Sequence, residues 1–364
     1  MGTKPHVFIA PARYIQGADV IMEIGAHIAP LGKQVLAAGG IRGLQQTRKG
    51  REASFAAHGI AQVEHVFGGE TCDAEIDRMA AFAAENECDV LLACGGGKVI
   101  DTVKAAGEKL CLPVVIVPTI ASNDSPCSAL AIVYNEDGTF NRRQVTRHSP
   151  DLVLVDSAII AAAPVHFLVA GMGDALATWF EADACYKSGA INLPGGTVSL
   201  SAITLARLCY DTLMEHGISA KSACEQNVVT PALDKVIEAN TLLSGLGFES
   251  CGVAVAHALS EGFSAVPEMH AFSHGEMVAF GLLAQLVMEN HPDTDAVLDF
   301  CRAVGLPTTL ADLNAGELDR AALLRAAEIA ADPNAPAHNM PFPVTAEMLV
   351  DAMLAADALG RAAK

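Results

Sequence analysis

Over its first 155 residues the chain alternates short apolar runs with helical patterns, and beyond Asp156 the alternation stops. Runs at 33–38, 90–94, 112–117 and 152–155 read as strands, with helical stretches at 72–87 and 99–109 among them. A strand that returns beside its predecessor through a helix pairs with it in parallel, and the helices cover both faces of the sheet. Continuous runs such as Val90-Leu91-Leu92-Ala93-Cys94 suit strands buried on both sides. After Asp156 apolar residues recur at helical spacing and strand signals nearly vanish. Thr230-Pro231 reads as an N-cap and first helical position, with Leu233, Val236, Ile237 and Leu243 on one face. Ser273-His274-Gly275-Glu276 fits a capping box that starts another helix at His274. At 364 residues the chain exceeds one ordinary core. The expectation is an α/β domain with a parallel sheet over 1–160 and an all-α domain over 161–364, divided near Ala161-Ala162-Ala163-Pro164.

Composition narrows the function. Hydrophobic residues make up 51% but aromatics only 5%, so Ala, Val, Leu and Ile carry the burial, as in helices and parallel strands. Lys and Arg number 23 against 42 Asp and Glu, and the net charge of −19 repels nucleic acid and anionic membranes. None of the ten cysteines forms a CxxC pair, and several lie in apolar runs as reduced thiols do. The start of the chain lacks a signal-peptide pattern, and the longest charge-poor stretch, 157–173, contains Pro164 and His166. A cytoplasmic protein with neither a nucleic-acid nor a membrane partner is expected.

Two polar turns follow strands in the first half. Gly95-Gly96-Gly97-Lys98 closes one strand and opens a helix whose first turns carry Asp101, Thr102 and Lys104. Amides without Cβ atoms in front of them, at a helix N-terminus, suit a pyrophosphate; a tight strand-to-helix turn explains the glycines equally well. The GxGxxG fingerprint is absent. The loop from Pro118 to Pro126 carries Thr119, Ser122 and Asp124 beyond a buried strand, the edge of a parallel sheet where ligands bind.

In the second half, Asp174 follows two glycine-bearing positions in an apolar run, where a lone carboxylate would be costly. His257 and His274 sit near helix ends in apolar sequence. One carboxylate and two imidazoles form a metal-ligand set with coordination positions left open, as catalysis needs. His270, four residues before His274, reads as a surface residue or a proton relay; Thr178, one turn after Asp174, reads as packing. His6, His27, His58, His65, His148, His216 and His291 read as surface residues.

With these residues in hand, the run GMGDALATWFEA, the loop PTIASNDSPCSAL, the GGGK turn, the segment VVTPALDKVIEANTLLSGLGFES and His338-Asn339-Met340-Pro341 resemble the zinc-using glycerol dehydrogenase branch of the iron-containing alcohol dehydrogenase superfamily. The likeness runs from about Tyr14 to near the C-terminus. It implies a Rossmann-like α/β domain and a helical domain in the dehydroquinate synthase-like arrangement, with the active site in the cleft between them. It places the metal ligands on Asp174, His257 and His274, and the cofactor contacts on Gly96, Gly97, Lys98, Thr119, Ser122, Ser128, Leu130 and Tyr134. The polyol contact falls on Asp124. The implied cofactors are Zn2+ and NAD, the implied reaction glycerol to dihydroxyacetone, and the implied assembly a homo-oligomer, up to an octamer.

The chain departs from the branch in three places. Gly40 stands where the family carries an aspartate for the adenosine ribose, and Arg42 follows two residues on, which opens the site to NADP. Ser260 and Glu261 replace a frequent histidine and asparagine, and Met277 a common lysine. Reduction of a related small hydroxy-ketone or 2-keto acid is the alternative chemistry on this scaffold, and a nucleotide-binding protein that has lost its chemistry is the non-enzyme alternative.

Overall fold

The computed structural model describes residues 4–362. Six strands form one sheet: β1 (Tyr14–Gly17), β2 (Gln34–Gly39), β3 (Ala61–Val66), β4 (Val90–Gly95), β5 (Val114–Pro118) and, after an antiparallel hairpin of β6 (Leu130–Tyr134) with β7 (Phe140–Val145), β8 (Leu152–Asp156). The sheet order is β1-β8-β5-β4-β2-β3, and every neighbouring pair is parallel. The four expected strands correspond to β2, β4, β5 and β8. The short edge strands β1 and β3 and the hairpin went unanticipated. β1 has only four residues, all partly exposed, and β3 reads Ala-Gln-Val-Glu-His-Val, so neither shows a buried run.

The winding of the sheet reverses between β2 and β4. The helix Ile41–His58 leads β2 to β3 on one side, and the helix Gly97–Leu110 leads β4 to β5 on the other. The crevice at the C-terminal ends of strands beside such a reversal is where open α/β sheets bind ligands. Val35, Leu92, Val115, Val117 and Leu154 from the strands pack with Ile24, Ile28 and Phe55 from the covering helices. His65 is a correction to the surface reading: it is 3% exposed, its Nε2 lies 3.2 Å from Glu75 Oε1, and its ring meets Phe82. A polar residue on an edge strand looks exposed from its neighbours alone; here the helix Asp73–Glu85 covers it.

The chain divides into two compact units at points other than residue 160. The α/β unit comprises Ile9–Leu168 and Ser222–Gly245; the helical unit holds the described residues before Ile9, Val169–Lys221 and those from Leu246 on. The returning segment is held to the sheet by specific bonds. Thr230 caps the helix Pro231–Glu238 by accepting from Leu233 N, as expected. Gln16 Nε2 then donates to the Asp234 carbonyl at 2.7 Å, Ser157 Oγ donates to Asp234 Oδ1, and Tyr14 Oη lies 2.9 Å from Thr241 Oγ1. Helical periodicity shows that this segment has an apolar face, but not which unit receives it.

The helical unit includes most of Leu200–Glu225, together with Val255–Phe263, His274–Glu289, Thr294–Val304, Arg320–Ala330 and Ala346–Ala362. Leu176, Leu213, Leu259, Phe263, Phe280, Leu323 and Met353 are fully buried in it, each contributing roughly 1.5–3 kcal/mol by leaving water. Among the described residues no single helix is long and apolar enough to cross a membrane, and every cysteine except Cys111 is buried.

Candidate active site

Three helices of the helical unit bring Asp174, His257 and His274 together. Asp174 lies on Val165–Ser188, His257 in the first turn of Val255–Phe263, and His274 opens His274–Glu289 behind the expected capping box of Ser273 and Glu276. One ligand atom from each lies within 4.8 Å of the others. Nε2 of His257 is 3.3 Å and Nε2 of His274 3.5 Å from Asp174 Oδ1. Glycines make this approach possible. A Cβ on Gly275 would sit 1.8 Å from the Ala170 carbonyl oxygen, and one on Gly173 2.3 Å from that of Gly275, so backbone touches backbone beside two of the ligands.

The donor set fits a divalent metal. Both imidazoles point Nε2 at the carboxylate, and each Nδ1 is held from behind, His257 by Glu181 Oε2 at 2.5 Å and His274 by Ser260 Oγ at 3.1 Å. Metal-binding histidines are characteristically oriented through the other ring nitrogen in this way. Burial disfavours a charged His257, yet the carboxylates of Glu181 and Asp174 outweigh it and hold its pKa well above the ordinary histidine range. His274 is shifted down: its surroundings disfavour charge, Asp174 opposes this, and His257 adds repulsion. Two carboxylates around one proton-bearing ring mark a site built for a cation. His270 is exposed, and its Nε2 donates to the Ser264 carbonyl at 2.9 Å. Thr178 is buried.

In the α/β unit the expected cofactor residues gather at the C-terminal ends of β4 and β5. Gly96 caps the helix Gly97–Leu110 in an extended conformation. A Cβ on Gly96 would meet Ile120 Cδ1 at 2.7 Å and one on Gly97 would meet Asn123 Nδ2 at 2.5 Å, so the 118–126 loop lies on the glycine turn. Thr119 is anchored through its N–H to the Gly95 carbonyl at 3.0 Å. Lys98 Nζ is 2.6 Å from Glu70 Oε2 and 5.8 Å from the Tyr134 ring centre. Ser122 is half-buried in the loop and Leu130 half-buried on β6.

Asp101 faces inward. Its Oδ2 accepts from Ile132 N at 3.1 Å and its Oδ1 lies 3.0 Å from Lys104 Nζ; burial raises its pKa, with Lys104 acting against the rise. Lys104, 2% exposed, donates to the carbonyls of Ser125, Ser128 and Leu130, which binds the loop and Ser128 after it to the hairpin that carries Leu130 and Tyr134. Asp124 Oδ2 accepts from Ser244 Oγ at 2.9 Å. Just before Ser244 the helix widens into a π-turn, Ala239–Leu243, and Asn240 Nδ2 there donates to the carbonyls of Ala121 and Leu168 at 3.0 and 3.1 Å. Such turns recur at functional sites because they re-aim side chains. A groove of about 570 Å³ in the same unit is lined by Arg42, Gln46, Ala163, Pro164, Val165 and Asn227, among others. Beside it, nothing lies within 4 Å of a Cβ built on Gly40.

Sequence reasoning missed Glu181, Asn240 and Ser244. Glu181 was detectable, since it lies seven residues after Asp174 and therefore on the same helix face. The π-turn that aims Asn240 has no comparable signature.

Comparison with known proteins adds to this geometry. The family model described as iron-containing alcohol dehydrogenase matches residues 11–157. The chain is 47% identical to the glycerol dehydrogenase of Escherichia coli, over 97% of this chain and 96% of that one. It is 46% identical to the glycerol dehydrogenase of Thermotoga maritima, over 98% of each. The crystal structure of a probable glycerol dehydrogenase from Sinorhizobium meliloti superposes with a TM-score of 0.92 at 41% identity, covering 98% of this chain and 100% of that one.

Proposed function

The chain belongs to the iron-containing alcohol dehydrogenase family, and from that premise we propose that it oxidises a vicinal diol, glycerol first, to the hydroxy-ketone with a nicotinamide dinucleotide as hydride acceptor. The observation that carries the reading is the convergence of Asp174, His257 and His274, in a chain whose likeness to glycerol dehydrogenases extends over nearly its full length. A divalent metal held by these three would act as a Lewis acid that lowers the pKa of a substrate hydroxyl. The dinucleotide would take up the hydride from the carbinol carbon.

The chain's own residues do the rest. Glu181 and Ser260 orient the two imidazoles. The amides at the start of Gly97–Leu110 offer a partial positive charge to a pyrophosphate, and the polar Thr119–Ser122 loop offers hydrogen bonds to a ribose or carboxamide. Asp124, steadied by Ser244, accepts from a substrate hydroxyl and so selects polyols over simple alcohols. The proton released from the substrate passes to water.

Zinc rather than iron, NAD rather than NADP, a homo-oligomer and a cytoplasmic address belong to the same proposal. Imidazole and carboxylate ligands suit both metals, so restoring the stripped protein with Zn2+ or with Fe2+ under argon decides between them. Sedimentation decides the assembly. The main test is a panel of polyols and keto compounds with both nicotinamides, with and without added Zn2+. Glycerol or another vicinal diol should be turned over only with metal; exclusive turnover of keto acids would defeat the substrate assignment.

A further inference from the structure

We infer that Glu181 is the positioning residue that holds the His257 imidazole in its metal-binding tautomer, an inference that rests on reading Asp174, His257 and His274 as a metal centre. Glu181 is fully buried two turns after Asp174 on the same helix. Its Oε1 accepts from the backbone N–H groups of Ala254 at 2.7 Å and His257 at 3.0 Å. Its Oε2 faces His257 Nδ1 at 2.5 Å. An ionised carboxylate only accepts, so Nδ1 must carry the proton. In the neutral ring the lone pair then resides on Nε2, the atom 3.3 Å from Asp174 Oδ1. The two backbone bonds on Oε1 keep the carboxylate from turning away. His274 has no such dictation, because the Ser260 hydroxyl can donate or accept.

A purely structural role exists for the same residue. Ala254 precedes the helix Val255–Phe263, and Glu181 satisfies two N–H groups that this helix end leaves over. Glu181→Gln separates the two roles. Its amide oxygen can still accept both N–H groups, but its NH2 faces Nδ1 and requires the ring to accept there. The proton moves to Nε2, where a metal would bind.

The experiment uses the full-length protein as wild type, Glu181→Gln and Asp174→Ala, each stripped with chelator and titrated with Zn2+ alone against a chromophoric competitor, with thermal unfolding followed in parallel. Stripped Glu181→Gln should melt near the stripped wild type, bind Zn2+ about 10–100-fold more weakly, and gain less in Tm from zinc. Wild-type zinc affinity in Glu181→Gln overturns the inference. Wild-type affinity in Asp174→Ala shows instead that the metal reading itself is misplaced. Should Glu181→Gln not fold, the histidine ring 13C shifts of the zinc-loaded wild type decide: coordination of His257 through Nε2 supports the inference, and coordination through Nδ1 refutes it.

Discussion

The hydroxyl of Ser244 donates to Oδ2 of Asp124 at 2.9 Å, fixing one carboxylate oxygen of the 118–126 loop. Ser244→Ala removes this bond and leaves the Asp124 carboxylate itself in place. A bond to a charged acceptor contributes about 1.5–3 kcal/mol, part of which water replaces in the variant. The kcat/KM for glycerol should fall about 5- to 20-fold while the dinucleotide dissociation constant stays within twofold, as steady-state kinetics and fluorescence titration would read. Unchanged kinetics on every diol would detach Asp124 from the substrate.

Removing a ligand tests the metal centre directly. His257→Ala should lose bound metal and turnover together, with nucleotide binding retained, because the glycine turn and the Thr119 loop belong to the other unit. Metal content by mass spectrometry and calorimetric nucleotide titration check both halves. Full activity in His257→Ala would refute the ligand assignment.

Arg42 tests the proposed choice between NAD and NADP. No carboxylate occurs from Gly39 to Gly43, and Arg42 is exposed at the start of its helix. A 2′-phosphate there would meet a cation rather than a repelling aspartate. Arg42→Ala should lower kcat/KM with NADP about tenfold relative to NAD, the equivalent of about 1.4 kcal/mol. An unaltered ratio would mean that Arg42 does not reach the cofactor.

Acid sensitivity should trace to Glu75. Burial raises its pKa, but Arg78, the Gly68 N–H and His65 outweigh this and hold it below the ordinary glutamate value. A folded pKa below the unfolded one stabilises fully above about pH 4.3, and that contribution disappears as pH falls through the folded value. Glu75→Gln should therefore cost about 1.5–3 kcal/mol at pH 7, and the gap to wild type should narrow below pH 4. Urea denaturation at both pH values provides the measurement; a gap that stays constant across the range would assign the cost to shape rather than charge.

The parallel sheet was legible because β2, β4, β5 and β8 are buried on both faces and write continuous apolar runs into the chain. β3 was not legible, since an edge strand can keep polar residues on its uncovered side. The ligand set could be read because charged or titratable residues in apolar surroundings demand a partner. What escaped was second-neighbour support: Glu181 resembles any helix glutamate until Ala254 and His257, more than seventy positions later, are placed against it. Likewise nothing in Ala239–Leu243 announces a π-turn, because its extra residue per turn is selected by packing rather than by local preference.

The return of Ser222–Gly245 to the sheet makes the two units topologically inseparable. A stop after Leu168 would deprive the α/β unit of Asn240, Thr241 and Ser244, and a gene fragment starting at Val169 would carry those residues with no sheet to join. Splitting this polypeptide for complementation, or exchanging one half with a relative, therefore calls for transplanting the 222–245 excursion together with the front of the chain.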